Sequence, residues 1–238
     1  MNTQAHSCFA YADAAAQAHG LALAVAALLR HHIARRGTAV LAVSGGRSPL
    51  PFFEALSQQS LPWDKVTVTL VDERWVAADD AACNGALVRG HLLQNHARAA
   101  RWLPLLAEDT PADFFRQPEH ITQSLEQALA AYVQPDVVVL GMGEDGHTAS
   151  LFPQAPQLAA ALAADAAPLV HTTPVTAPHE RIGMSAAAIA AAADVLLSIG
   201  GAAKQAVLQQ ALAAPSTAMP VGLVLGAPSV HAHIHYHD

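Results

Sequence analysis

The chain has 238 residues, of which 53% are hydrophobic and only 13% charged. That composition excludes a disordered chain, which is charged and poor in apolar residues, and the length supports a core that needs no disulfide or metal. Nineteen acids against 12 bases leave a formal charge of -7, which argues against a nucleic-acid binder, because phosphate-backbone affinity comes from a basic surface.

The first nineteen residues contain no Lys or Arg, and Asp13 stands where a leader would be basic, so no secretory signal is expected. Residues 12–36 read as a helix whose basic residues, Arg30, Arg35 and Arg36, gather at its C-terminal end. Its apolar stretch 20–29 is too short to cross a bilayer. The runs 39–43 (AVLAV), 65–71 (KVTVTLV) and 136–140 (DVVVL) read as strands, the last apolar enough to be buried on both faces. Further strands are expected over 169–172, 195–199 and 221–225, and helices over 49–56, 84–95, 184–193 and 202–213. Strand alternates with helix, which predicts an α/β, Rossmann-like fold: a mostly parallel sheet with helices on both faces. No linker divides the chain, so a single domain over 1–238 is expected. Cys8 and Cys83 make neither a disulfide framework nor a zinc site, and they suit a reduced, cytoplasmic compartment.

Ligands of an open parallel sheet bind beyond the carboxyl ends of its strands. Four segments fall there. Ser44-Gly45-Gly46-Arg47 joins a strand to a helix opened by Pro49, and its backbone N–H groups can cradle an anion. Asp72-Glu73-Arg74 puts charge straight after an apolar strand; Arg74 can clamp a phosphate or carboxylate, and Asp72 can orient or exchange a proton. Gly200-Gly201 precedes Lys204, one of only two lysines, in the first turn of a helix, where a cation is unfavourable unless an anion is present. Arg181 can serve the same charge.

The fourth segment, Gly141-Met142-Gly143-Glu144-Asp145-Gly146, fits a dinucleotide-binding glycine pattern, with Asp165 about twenty residues on. Glu144 and Asp145 would repel a pyrophosphate, and Pro153 and Pro156 stop the long helix that should follow, so no nicotinamide cofactor is expected. His147 follows at once. An imidazole takes a proton from water near neutrality, and Asp145, Glu144 or Asp72 can hold its tautomer. His231, His233, His235 and His237 alternate, so a strand would put all four on one face. They lack carboxylates to orient them, and no functional metal is expected there.

Together these segments resemble the 6-phosphogluconolactonases of the glucosamine-6-phosphate isomerase/6-phosphogluconolactonase family. The run from Leu140 through Gly141-Met142-Gly143-Glu144-Asp145-Gly146-His147-Thr148-Ala149-Ser150 to Leu151-Phe152-Pro153 carries the resemblance most specifically. Ser44-Gly45-Gly46, Asp72-Glu73-Arg74, Asn84, Pro178 with Glu180-Arg181, and Gly201 with Lys204 follow in the family's order. Ala77, Cys83 and Gly183 depart from its usual proline, serine and threonine, and none of them removes a charge. A related deaminase shares Gly-Asp-Gly-His but not the Thr-Ala-Ser-Leu-Phe-Pro that continues it here, nor Arg74.

The resemblance implies hydrolysis of 6-phospho-D-glucono-1,5-lactone to 6-phospho-D-gluconate, the second step of the oxidative pentose phosphate pathway, without cofactor. It implies His147 as general base, Asp145 or Asp72 orienting it, and Arg74 or glycine-turn N–H groups facing the oxyanion. Ser44, Gly45, Gly46, Arg47, Arg181 and Lys204 would hold the phosphate, and Asn84 is a further candidate binding residue. The expected partner is a small sugar phosphate, with no nucleic acid and no membrane, on a monomer or small homo-oligomer. An amino-sugar-phosphate deaminase or isomerase with Asp72 as carbon-acid base, or a non-catalytic sugar-phosphate binder, are the alternatives.

Overall fold

A computed structural model of the chain describes residues 6–238, so residues 1–5 of the expected domain and of the leader reading lie outside the described residues. In chain order the elements are β1 (Ser7–Tyr11), α1 (Ala14–Arg36), β2 (Ala39–Val43), α2 (Leu50–Ser57), β3 (Val66–Leu70), β4 (Asp72–Arg74), α3 (Asn84–Leu87), β5 (Arg101–Trp102) and α4 (His120–Ala131). There follow β6 (Val137–Leu140), α5 (Leu158–Ala161), β7 (Leu169–Thr172), β8 (Arg181–Met184), α6 (Ala186–Ala190), β9 (Asp194–Gly200), α7 (Ala202–Ala213), α8 (Pro220–Leu225) and β10 (Ala232–His237).

Seven strands form one sheet in the order β1-β10-β9-β6-β2-β3-β5, and every neighbouring pair is parallel. Every residue of β6 is buried, as are most of β2, β3 and β9, so the centre of the sheet is covered on both faces. Long α1 runs from an Asp13 side chain that caps Ala16 N–H at 2.8 Å to Gly37, whose N–H closes on Ile33. It packs across β2, β6, β9 and β10. A small antiparallel sheet, β4-β8-β7, branches off where the chain leaves β3.

Three expectations need correction. Residues 221–225, expected as a strand, lie in helix α8: Pro220 opens its first turn, and an apolar run this short is ambiguous between strand and buried helix. The helix expected over 84–95 breaks after Leu87 into a π-helical turn over Val88–Leu92. The helix expected over 184–193 shortens to α6, because Met184 completes β8 and Ser185 caps the helix through Ala188 N–H. Cys8 and Cys83 are both free thiols.

Candidate active site

Because the strands of the large sheet run the same way, the ends of β2, β3, β6, β9 and β10 reach one edge. After Leu140 the chain turns tightly: Gly143 N–H donates to His147 O at 2.9 Å, and Gly146 N–H to Gly143 O at 3.1 Å. A side chain at Gly143 would overlap the His147 ring and the Asp145 carboxylate. Asp145 Oδ1 lies 2.5 Å from His147 Nδ1 and 3.1 Å from its backbone N. With Nδ1–H facing a carboxylate, the neutral ring is assigned the tautomer that leaves the Nε2 lone pair free. The ring stacks on Phe152 at 4.3 Å between centroids. Ala149, at φ 50°, holds the left-handed conformation that a side chain disfavours, a local strain beside the turn.

β4 points its three charges in different directions. Asp72 is buried, and its Oδ2 accepts the Ser150 hydroxyl at 2.6 Å. Gly183 is its partner in register, and a Cβ there would come within 2.8 Å of the Asp72 Cβ. Glu73 is buried away from the edge and accepts three backbone N–H groups, from Arg74, Asn84 and Gly85, at 2.7, 2.8 and 2.7 Å. Burial pushes the Glu73 carboxyl above its ordinary range; those N–H groups oppose the shift and the Asp72 charge adds to it. Its hydrogen bonds pin the start of α3, where the Asn84 amide donates to Asp72 O at 2.9 Å and packs onto Gly45, which has no side chain to exclude it.

Arg74 and Arg181 are direct partners across β4 and β8. Arg74 Nη1 donates to Ala82 O at 2.6 Å, and Arg181 Nη2 to Pro178 O at 3.0 Å. The Nε of each is buried with no hydrogen-bond partner among the described residues. Burial pulls the Arg181 guanidinium below its ordinary value; Asp72 opposes this and Arg74 adds to it. Like charges in direct register destabilise a sheet, and two unsatisfied guanidinium edges suit an anion. On the β9 side, no side chain caps α7 behind Gly201, and Lys204 stands in its first turn. Ser44 Oγ accepts Gly141 N–H at 3.2 Å and ties the β2 and β6 turns together.

These groups surround one cavity of about 690 Å³. Of the residues expected from the sequence, His147, Asp72, Arg74, Ser44, Gly45, Asn84, Arg181 and Lys204 line it. Asp145, Gly46 and Arg47 do not, and Asp145 acts on the cavity only through His147. Among the described residues three cations therefore converge on the cavity in a chain of net negative charge, with Asp72 the one lining carboxylate. The sequence reading missed Gln17, Phe152, Ser198 and His237 as wall residues. Phe152 had a signal in its closeness to His147; Gln17 had none, standing in the first turn of α1 while the groups it hydrogen-bonds, Ser198, Ile199, His235 and His237, lie more than a hundred residues away along the chain. Among the described residues no group of three or more His, Cys, Asp or Glu is placed to hold a metal, and no helix is long and apolar enough to cross a membrane.

The family model for glucosamine-6-phosphate isomerases/6-phosphogluconolactonase matches residues 12–232. The chain belongs to this family. Within the glucosamine-6-phosphate isomerase/6-phosphogluconolactonase family it is 49% identical over 227 residues to a 6-phosphogluconolactonase of Neisseria meningitidis, covering 95% of this chain and 96% of that protein. It is 44% identical over 222 residues to a 6-phosphogluconolactonase of Pseudomonas aeruginosa, covering 92% and 90%. The crystal structure of a 6-phosphogluconolactonase from Shewanella baltica superimposes with a TM-score of 0.88 at 38% identity, over 99% of each chain.

Proposed function

We propose that this chain is a lactone hydrolase that converts 6-phospho-D-glucono-1,5-lactone to 6-phospho-D-gluconate, as the names of its relatives suggest. The observation that carries the reading is His147: its Nδ1 is held by Asp145, and its ring faces a cavity shared with Arg74, Arg181 and Lys204. Nε2 takes a proton from water, and the hydroxide oxygen bonds to the lactone C1. The charge that builds on the carbonyl oxygen is met by Arg74 or by N–H groups of the glycine turns. As the tetrahedral intermediate collapses, the bond from C1 to the ring oxygen breaks, and protonated His147 returns its proton to that oxygen. The δ-lactone is already electrophilic, so no covalent nucleophile is needed, and general-base help of about 10²–10⁴-fold suffices.

Asp145 orients the imidazole, and Asp72, fixed by Ser150, bounds the floor of the site. Ser44, Gly45, Arg181 and Lys204 hold the phosphate, with Gly46 and Arg47 behind them. Asn84 shapes the wall between Asp72 and Gly45. Remote phosphate binding orients the reacting ester and removes part of the entropic barrier. The reaction is the second step of the oxidative pentose phosphate pathway, and a cytoplasmic setting suits it.

A coupled assay with freshly made lactone, corrected for spontaneous hydrolysis, tests the reading. Turnover well above the spontaneous rate is expected. Ammonia released from glucosamine 6-phosphate would make the chain a deaminase instead. Binding of 6-phosphogluconate without lactone turnover would make it a sugar-phosphate binder.

A further inference from the structure

The proposed reaction leaves a second imidazole in the cavity unused. His237 lines the same cavity as Gly201 and Lys204. Its backbone carbonyl accepts Gly201 N–H at 3.0 Å and the Gln205 side-chain amide at 3.1 Å, which ties β10 to the start of α7. Its ring lies over Gly200, where any side chain would overlap Cε1 and Nε2.

The tautomer follows from Gln17. That side chain is buried, and its amide nitrogen donates to Ser198 Oγ at 3.1 Å, Ile199 O at 2.9 Å and His235 O at 2.7 Å. Nitrogen and oxygen are therefore assigned without ambiguity. Oε1 can only accept, and it meets His237 Nδ1, so Nδ1 carries the proton. Neutral His237 has a lone pair at Nε2, which disfavours an anion. Protonated, it has an N–H donor there. The same cavity contains Arg181, 6% exposed, whose Nε has no partner.

We infer that His237 is a proton-gated donor of the anion subsite at the start of α7, so that a dianionic group binds there more tightly when the His237 ring is protonated. The charged groups around it are accounted for. From α7, Lys204 faces the cavity. From β1, the register partner Tyr11 shares a hydrogen bond of 2.9 Å between its hydroxyl and His235 Nδ1. The Asp238 carboxylate is taken by Gln205 Nε2 at 2.9 Å, and α1 presents the uncharged Gln17. His147, Arg74, Arg181 and Asp72 stand in the other walls. The inference rests on the reading of the cavity as a sugar-phosphate site and adds a specificity residue to it.

Inorganic sulfate is the probe, because it stays dianionic where a phosphate monoester titrates. Its dissociation constant is measured by calorimetry, without any turnover, at about pH 5.5 and about pH 8. The proteins are the unaltered chain, His237→Asn, which keeps a donor toward Gln17, and His237→Gln. At the lower pH both variants should bind sulfate about tenfold more weakly than the unaltered chain, the size of one charge-assisted hydrogen bond. At the higher pH all three should agree within about twofold. By reciprocity, sulfate should also raise the titration midpoint of the His237 ring followed by NMR in the unaltered chain. An identical pH dependence in all three proteins, an unmoved midpoint, or no sulfate binding would overturn the inference. Failure of lactone turnover with the sulfate results intact would remove the proposed reaction and leave His237 as an anion-site residue.

Discussion

Asp145 Oδ1 accepts two hydrogen bonds from one residue, His147, the ring Nδ1 at 2.5 Å and the backbone N–H at 3.1 Å. The carboxylate thus fixes both where the imidazole stands and which nitrogen it offers to the cavity. Asp145→Asn keeps the shape but can present an N–H in place of an acceptor. It should lower kcat by about 10²-fold while KM stays within about twofold. Steady-state kinetics check this, and an unchanged kcat would remove Asp145 as the orienting group.

Gly143 supports the same geometry through empty space. A methyl group there would overlap both His147 and Asp145, so Gly143→Ala must displace one of them. The turn is at the surface and Gly143 is only partly buried, so the thermal midpoint should hardly move while kcat falls by about 10²-fold. A large loss of stability with intact kcat would contradict this.

The Arg74–Arg181 register makes a prediction with two signs. Removing one guanidinium relieves like-charge opposition that costs about 0.2–1 kcal/mol in a strand pair. Arg181→Gln should therefore be no less stable than the unaltered protein when unliganded, yet bind 6-phosphogluconate at least about tenfold more weakly. Lys204→Ala should weaken substrate binding and relieve inhibition by inorganic phosphate. Melting curves with and without 6-phosphogluconate, and inhibition kinetics, read both.

His235 sets an acid limit on the fold. It is 1% exposed, and burial, aided by His233, pulls its ring down to about 4. In the unfolded chain the ring titrates at about 6.5, so between these values the unfolded state binds more protons. Stability from this group is complete above about pH 6.5 and is lost as pH falls toward about 4, by about 3 kcal/mol at most. Glu73 has the opposite sign: its raised carboxyl favours the fold at low pH and loses that contribution as pH rises, so it does not produce the acid limb. His235→Gln should flatten the fall of melting temperature with acidification. Parallel curves for the two proteins would contradict the assignment.

The strand ends that carry the site were legible in the sequence because a strand buried on both faces is written as a short β-branched run, and the glycine or charge that stops it is the functional segment. AVLAV before Ser44 and DVVVL before Gly141 are of that kind. VGLVL was misread because its apolar residues fit a strand, and only Pro220 at the first turn marks the helix. The Asp145–His147 contact spans two residues and was among the options read from the motif. Asp72, offered as an alternative partner for His147, instead binds Ser150, a pairing across 78 positions that only the crossing of β4 and the β6 turn creates. β1 and the wall residues Gln17 and His237 were hidden for the same reason: the first and last strands pair in parallel across the whole chain, and local sequence carries no trace of that register.

The most direct test of the central claim is the rate of hydrolysis of fresh 6-phospho-D-glucono-1,5-lactone by His147→Ala, measured beside the unaltered chain and corrected for spontaneous opening. The account predicts a kcat about 10²–10⁴-fold lower, with KM and 6-phosphogluconate binding little changed. A kcat equal to that of the unaltered chain would show that some other group activates the water.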